Sequence, residues 1–288
     1  FHEFRAYQRS QPILNLAAFV PLPRWFPRFH RPETKRAAKR IRALITQLVD
    51  QRRKAIADGS APDDLATRIM TTPDPETGQC FTAAEMVDQV AIFFLAGHET
   101  SASALGWALY CCAAAPEWQD RIAQEASALT DPKDVKRLTT SRDVFRETLR
   151  LYPPVPMMVR ETTKAETFRK RAIPKAAQLV LSPWHLHRHT KLWDDPDAFD
   201  PSRWQSDDTR QSARDAYMPF SAGPRVCPGA GFAMAEGPLL LSLLLRAVEV
   251  TPAPGKTPQP VAHLTVRARD GIWLNVRPRR RADTASNG

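Results

Sequence analysis

The sequence predicts a mainly α protein with small β-sheets, and three observations predict it. From Thr82 to Ala115 a mostly apolar run contains no proline. A helix of about 33 residues would span roughly 50 Å, too long for an ordinary surface helix, so it is expected to cross the core. Residues 34–57 place Ile41, Leu44, Ile45, Leu48 and Val49 on one helical stripe. Alternating apolar residues occur only in short patches, at 178–182 and around Asp270-Gly271. With 43% apolar residues among 288, the chain can bury a sizeable core.

The elements follow in order. Residues 1–31 are Pro-rich and aromatic and read as a short helix followed by a loop. The stripe helix of 34–57 ends at Asp58-Gly59, and 63–70 allow a short helix. The turn-rich segment 72–80 leads to Thr82 and Glu85, spaced as a capping box for the long helix, about 82–115. Pro116 opens a helix ending near Leu129. Thr140 and Asp143 are expected to cap another, which stops at Pro153-Pro154. Residues 155–182 suggest short strands, and 183–219 read mostly as loop. A helix follows from about Gly229 to Val248, and 261–278 read as a hairpin turning at Asp270-Gly271. No internal repeat is present.

The net charge is +10. Residues 24–54 hold eleven Lys or Arg against Glu33 and Asp50. A solvated helix face, an acidic protein or an anionic membrane would each suit this charge. Nucleic acid is excluded as a partner, since neither aromatic interleaving nor a recognition motif accompanies the charge. No uncharged apolar stretch of 18 residues exists, so the sequence shows no transmembrane helix. Membrane association is left open, since the chain begins at Phe1 and is expected to be a piece of something longer. Cys80, Cys111, Cys112 and Cys227 form neither a zinc pattern nor a disulfide framework, which points to a reducing, cytoplasmic compartment.

The stretch FSAGPRVCPG, 220–229, is the most specific signal. Phe220, Gly223, Arg225 and Gly229 surround Cys227 in a tight loop, with a helix starting behind it. Unpaired N–H groups and the positive end of the helix dipole favour the thiolate there, a soft ligand for iron. A cysteine in a Gly-rich turn is, taken alone, more often structural. Other motifs stand in order before it. AGHET, 96–100, puts small Ala96 and Gly97 beside Glu99 and Thr100, an acid next to a hydroxyl in an apolar helix. Glu147 and Arg150 share one helix face at i, i+3. Met157, Met158 and Arg160 follow LYPPVP. WHLHRH, 184–189, spaces three histidines alternately, which on a strand would share a face, though a metal site there is disfavoured.

F-x-x-G-x-R-x-C-x-G, A-G-x-E-T, E-x-x-R and the stretch around WHLHRH together resemble the cytochrome P-450 family of haem-thiolate monooxygenases. The resemblance covers the chain from residue 34 onward and implies one partial domain, 1–288, without the family's early N-terminal helices. It implies haem b with Cys227 as the axial thiolate and sole metal ligand. Phe220, Gly223 and Gly229 would shape the ligand loop. Arg225 and Arg160 would meet the propionates, and Ala96 and Gly97 would let the planar group approach. Thr100 and Glu99 would relay protons. Arg203, in FDPSRW, would join Glu147 and Arg150 in a structural network, and His187 and Arg188 would hold a loop near the haem edge. The implied partners are a small apolar substrate, dioxygen and an external ferredoxin or flavin reductase. A truncated remnant that turns nothing over is the alternative. Two departures stand out: Ser202 where the family more often has Glu, and Ala176 where it usually has Gly, so the β region is expected to be atypical.

Overall fold

The computed structural model describes Tyr7, residues 31–262 and residues 265–279; the short helix and loop expected for 1–31 lie almost entirely outside them. By internal contacts the chain divides into two compact units, Phe1–Glu99 and Thr100–Gly288.

The first unit holds α1 (Pro32–Ala57), α2 (Leu65–Thr71) and the first half of α3 (Ala83–Ala114). Ile41, Ile45 and Val49 of α1 pack on Met86 and Val87 of α3, so the stripe read from the sequence is a buried seam. Leu44 and Leu48, also in that stripe, remain exposed. The capping box forms: the Thr82 N–H and hydroxyl donate to Glu85 Oε2 at 2.8 and 2.7 Å, and the Glu85 N–H donates to Thr82 Oγ1 at 3.3 Å. Asp64 caps α2 by accepting from the Thr67 N–H at 3.0 Å, and Arg52 fastens the same carboxylate at 2.8 Å.

The second unit continues with α4 (Pro116–Ser127), a 3-10 turn (Pro132–Arg137) and α5 (Thr139–Leu151). Four short strands follow: β1 (Met158–Glu161), β2 (Glu166–Phe168), β3 (Arg171–Ile173) and β4 (Gln178–Leu181). Next come α6 (Pro183–Leu186), a 3-10 turn (Pro201–Gln205) and α7 (Asp207–Ala216). A further 3-10 turn (Gly223–Arg225) precedes α8 (Ala230–Ala247). The last strands are β5 (Val248–Pro252), β6 (Pro260–Ala262), β7 (Val266–Ala268) and β8 (Leu274–Pro278). All four pairings, β1 with β4, β2 with β3, β5 with β8 and β6 with β7, are antiparallel.

The core of this unit joins Ala108 and Cys112 of α3, Ile122 of α4, Val144, Phe145 and Leu149 of α5, and Leu241 and Leu245 of α8. Gly237 permits the closest approach, because a Cβ there would collide with the Phe145 ring. Buried Gln119 serves as a strand partner: its Oε1 accepts from the Val250 N–H at 2.7 Å and its Nε2 donates to the Val250 carbonyl at 3.0 Å. Helix α8 is long and apolar enough to cross a membrane by length and composition, although Glu236 and Arg246 interrupt its uncharged run. One face of it is packed through Leu241 and Leu245, while Phe232, Leu240, Leu243 and Leu244 remain exposed.

Four expectations are corrected. Helix α5 is not capped by Thr140 and Asp143; its N-cap position, Leu138, makes no side-chain cap. Glu125 of α4 does that work, accepting from the N–H groups of Thr140 at 2.7 Å and Ser141 at 3.0 Å. The stretch 183–219 contains helix α7, which lacks an apolar stripe. It is held instead by Ser206, which accepts from the Thr209 N–H at 3.2 Å, and by Asp207 and Asp208 in its first turn. Asp270-Gly271 is not the tip of a hairpin, because β7 pairs back with β6 and β8 pairs with β5. The three histidines do not alternate on a strand, since His185 lies in α6 and His187 is its C-cap.

Candidate haem-ligand loop and its supports

The loop before α8 is built by backbone hydrogen bonds. The Cys227 N–H donates to the Phe220 carbonyl at 2.8 Å, the Val226 N–H to Gly223 at 3.0 Å, and the Ala230 N–H to Cys227 at 3.3 Å. Gly223 has φ +68°, the left-handed region that glycine enters without strain. Gly229 has φ −86°, and a Cβ there would lie 3.8 Å from Cys227 Sγ, an ordinary contact. Phe220 is half-buried against the core cluster, whereas Gly223 through Pro228, including Arg225 and Cys227, are exposed. The loop thus presents a sulfur outward at the start of a helix.

Arg160 projects from β1. Its Nη2 donates to Ser221 Oγ at 2.7 Å and its Nη1 to the Val159 carbonyl at 3.0 Å. Thr100 lines a small cavity with Ser101, Phe220, Ala233, Glu236 and Gly237. Ser101 Oγ donates to Glu236 Oε2 at 3.3 Å. Glu236 was not singled out from the sequence, although a lone acid in so apolar a helix is itself a signal. The neighbouring Ala96, Gly97 and Glu99 belong to the first unit. There Glu99 is buried, Ala96 and Gly97 are exposed, and a Cβ on Gly97 would meet nothing within 4 Å.

Glu147 and Arg150 are both fully buried and form a two-pronged ion pair at 2.8 and 2.9 Å. Arg203 Nε reaches the same Glu147 Oε1 at 2.9 Å, and Trp204 Nε1 donates to Oε2 at 3.1 Å. Arg150 also donates to the carbonyls of His187 at 2.9 Å and Ala198 at 2.8 Å. Ser202, the departure beside Arg203, donates its N–H to Asp200 Oδ1 at 2.9 Å, which caps the turn that carries the arginine.

His187 is fully buried, and burial pushes its pKa down to about 4. Arg188 lies 3.9 Å over the Trp184 ring. His185 Nδ1 engages Ser182 Oγ and His189 Nδ1 accepts from the Lys191 N–H, so the three imidazoles have separate partners. Among the described residues no group of three His, Cys, Asp or Glu could hold a metal ion. A single exposed sulfur fits a metal whose remaining coordination comes from a prosthetic group, and in that respect the loop suits haem. Cys111 and Cys112 do not offer such a ligand. Burial raises the Cys111 pKa to about 12 and that of Cys112 well above the ordinary thiol value.

An exposed cysteine held before a helix, in a unit that also buries a Glu-Arg-Arg network, is an arrangement that suits a protein of the haem-binding class. The sequence profile of the Cytochrome P450 family matches residues 5–275, and the chain belongs to that family. Cytochrome P450 4A10 of Mus musculus is 36% identical over 211 residues, 70% of this chain and 41% of the relative. Cyclooctat-9-en-7-ol 5-monooxygenase of Streptomyces melanosporofaciens is 31% identical over 256 residues, 87% of this chain and 54% of the relative. The structure of a cytochrome P450DA mutant heme domain superposes with TM-score 0.82 and 27% identity, over 97% of this chain and 61% of that one. The chain spans about half the length of the curated relatives it matches.

Proposed function

We propose that this chain is the thiolate-bearing part of a haem-dependent monooxygenase acting on a small, apolar organic substrate. One oxygen atom of dioxygen enters the substrate and the other leaves as water, with two electrons and two protons consumed. The observation that carries the reading is the exposed Cys227, closed into its loop by the Phe220 carbonyl. A relative named as a monooxygenase supports it.

Haem b, when bound, supplies the activation of dioxygen. The chain's own residues do the rest. Cys227 Sγ ligates the iron, while Phe220, Gly223 and Gly229 shape the loop. The exposed Arg225 and the strand-held Arg160 neutralise propionates, and Ala96 and Gly97 leave room for a planar group. Thr100 Oγ1 and the Glu99 carboxyl hand on protons. Glu147, Arg150 and Arg203 hold the core that carries the loop. An external ferredoxin or flavin reductase gives the electrons, and the exposed basic residues of α1, such as Lys35, Arg36 and Lys39, suit an acidic one. Four free cysteines accord with a reducing, cytoplasmic setting.

The ferrous–CO complex tests this reading. A red-shifted Soret band, absent in Cys227→Ser, supports thiolate ligation; a band typical of histidine ligation sinks it. Thr100→Ala should divert electrons away from product, and unchanged coupling removes the relay role. A second reading, a chain that binds haem weakly and turns nothing over, is favoured by the exposed Phe232, Leu240, Leu243 and Leu244 of α8. Haem stoichiometry of the purified protein separates the two.

A further inference from the structure

Ser221 holds a conformation that a serine rarely takes. Its φ is +66°, left-handed, and the loop's own glycine at 223 takes nearly the same value without strain. A side chain in this region persists where surrounding contacts over-determine it. Two contacts do so here. The Ser221 N–H donates to the Met218 carbonyl at 3.2 Å, and Ser221 Oγ accepts from Arg160 Nη2 at 2.7 Å. Arg160 is itself fixed, because its strand pairs with β4 opposite Leu179 and its Nη1 donates to the Val159 carbonyl.

The place of Ser221 in the chain gives this contact its importance. The peptide joining Phe220 to Ser221 carries the carbonyl that accepts the Cys227 N–H at 2.8 Å. The φ of Ser221 is the rotation at one end of that peptide plane. If φ relaxes toward negative values, the Phe220 carbonyl is free to turn from Cys227, and the loop loses its closing bond. Glycine would relieve the strain but would give Arg160 no oxygen to hold. Serine keeps the strained angle and supplies the oxygen.

We propose that Ser221 is a positioning residue of the ligand loop: its hydroxyl, held by Arg160, locks the Phe220 peptide so that Cys227 is presented in one orientation. The role assigned to that orientation rests on the haem-thiolate reading. The lock itself is a property of the protein before haem binds.

The test is amide hydrogen exchange at Cys227 in the haem-free protein, with haem release from the loaded protein measured in parallel. Ser221→Ala keeps the Cβ and removes the oxygen, and the Cys227 N–H should exchange about tenfold faster or more. Ser221→Asn tolerates the left-handed region and offers an amide oxygen, and should return exchange to near the wild-type rate. Ser221→Gly relieves the angle, so its melting temperature should match or exceed the wild type while Cys227 still exchanges faster. That split separates positioning from a general effect on stability. Haem release should rank with exchange across the series. Wild-type exchange in Ser221→Ala, or failure of Ser221→Asn to restore it, overturns the proposal. A histidine-type ferrous–CO band would defeat the haem-thiolate reading, while the exchange series would still decide the lock.

Discussion

Met218 donates its backbone N–H to Nε2 of His187 at 3.0 Å. The other ring nitrogen, Nδ1, faces the Arg150 carbonyl at 3.1 Å and must donate to it. His187 is therefore neutral, with its proton on Nδ1. It joins the end of α5 to the segment that enters the Cys227 loop. An imidazolium could not accept from Met218, so the ring's charge and the loop's attachment are linked.

A pH dependence follows. Burial depresses the His187 pKa from 6.5 to about 4 in the folded protein. Between those values the unfolded chain binds more protons than the folded one, so stability falls as pH falls. The contribution is complete above about pH 6.5 and is lost as the pH drops toward 4. It amounts to at most about 3 kcal/mol, taking 1.36 kcal/mol per pKa unit. Urea midpoints measured from pH 7 to 4 should fall more steeply in the wild type than in His187→Gln. Parallel slopes would rule out this assignment.

Glu147 takes donors from Arg150, Asp200, Arg203 and Trp204. Glu147→Ala leaves two buried guanidinium groups without their counter-charge, and the expected cost is about 3–5 kcal/mol. Glu147→Ala and Arg203→Ala should be far from additive in a double-mutant cycle. Additive losses read from urea curves would mean that the carboxylate does not couple them.

Ala176 sits at φ +66° in the turn between β3 and β4, so the departure noted in the sequence is a strained residue in a turn that still forms. Ala176→Gly removes a steric penalty of roughly 1–2 kcal/mol and returns somewhat less in unfolded-state entropy. The expected result is a rise in melting temperature; a fall would show that the turn does not need that angle.

Thiol labelling should distinguish the cysteines. Cys80 and Cys227 are exposed, whereas Cys111 and Cys112 are buried with raised pKa values. A disulfide-exchange reagent should titrate two thiols in the native protein and four in denaturant. Haem should protect one of the two, and protection should vanish in Cys227→Ser. Equal protection of Cys80 would argue against Cys227 as the ligand.

What was legible in the sequence was local. The Thr82–Glu85 box, the Ile41–Ile45–Val49 seam and the closing of the Cys227 loop each depend on residues close in the chain. What was missed depends on distant partners. Glu125 caps α5 from another helix, and β8 finds β5 rather than the nearer β7. Helix α7 has no stripe to read because capping and charge hold it. In the site, the family resemblance marked Cys227, Arg160 and the Glu147 network, but left-handed Ser221 and the acceptor role of His187 carry no signature in composition or period.

The crowding around Glu147 has a consequence for how this chain tolerates change in length. One carboxylate fixes α5 against residues 200–204, and Arg150 beside it fixes the carbonyls of His187 and Ala198. Inserting or deleting a residue within 187–204 would misalign several of these bonds at once. The β2–β3 hairpin, Glu166–Ile173, is almost wholly exposed and supplies no partner to that carboxylate. Extra sequence, a tag or a reporter group belongs there, where the chain can grow without moving the segment that reaches Cys227.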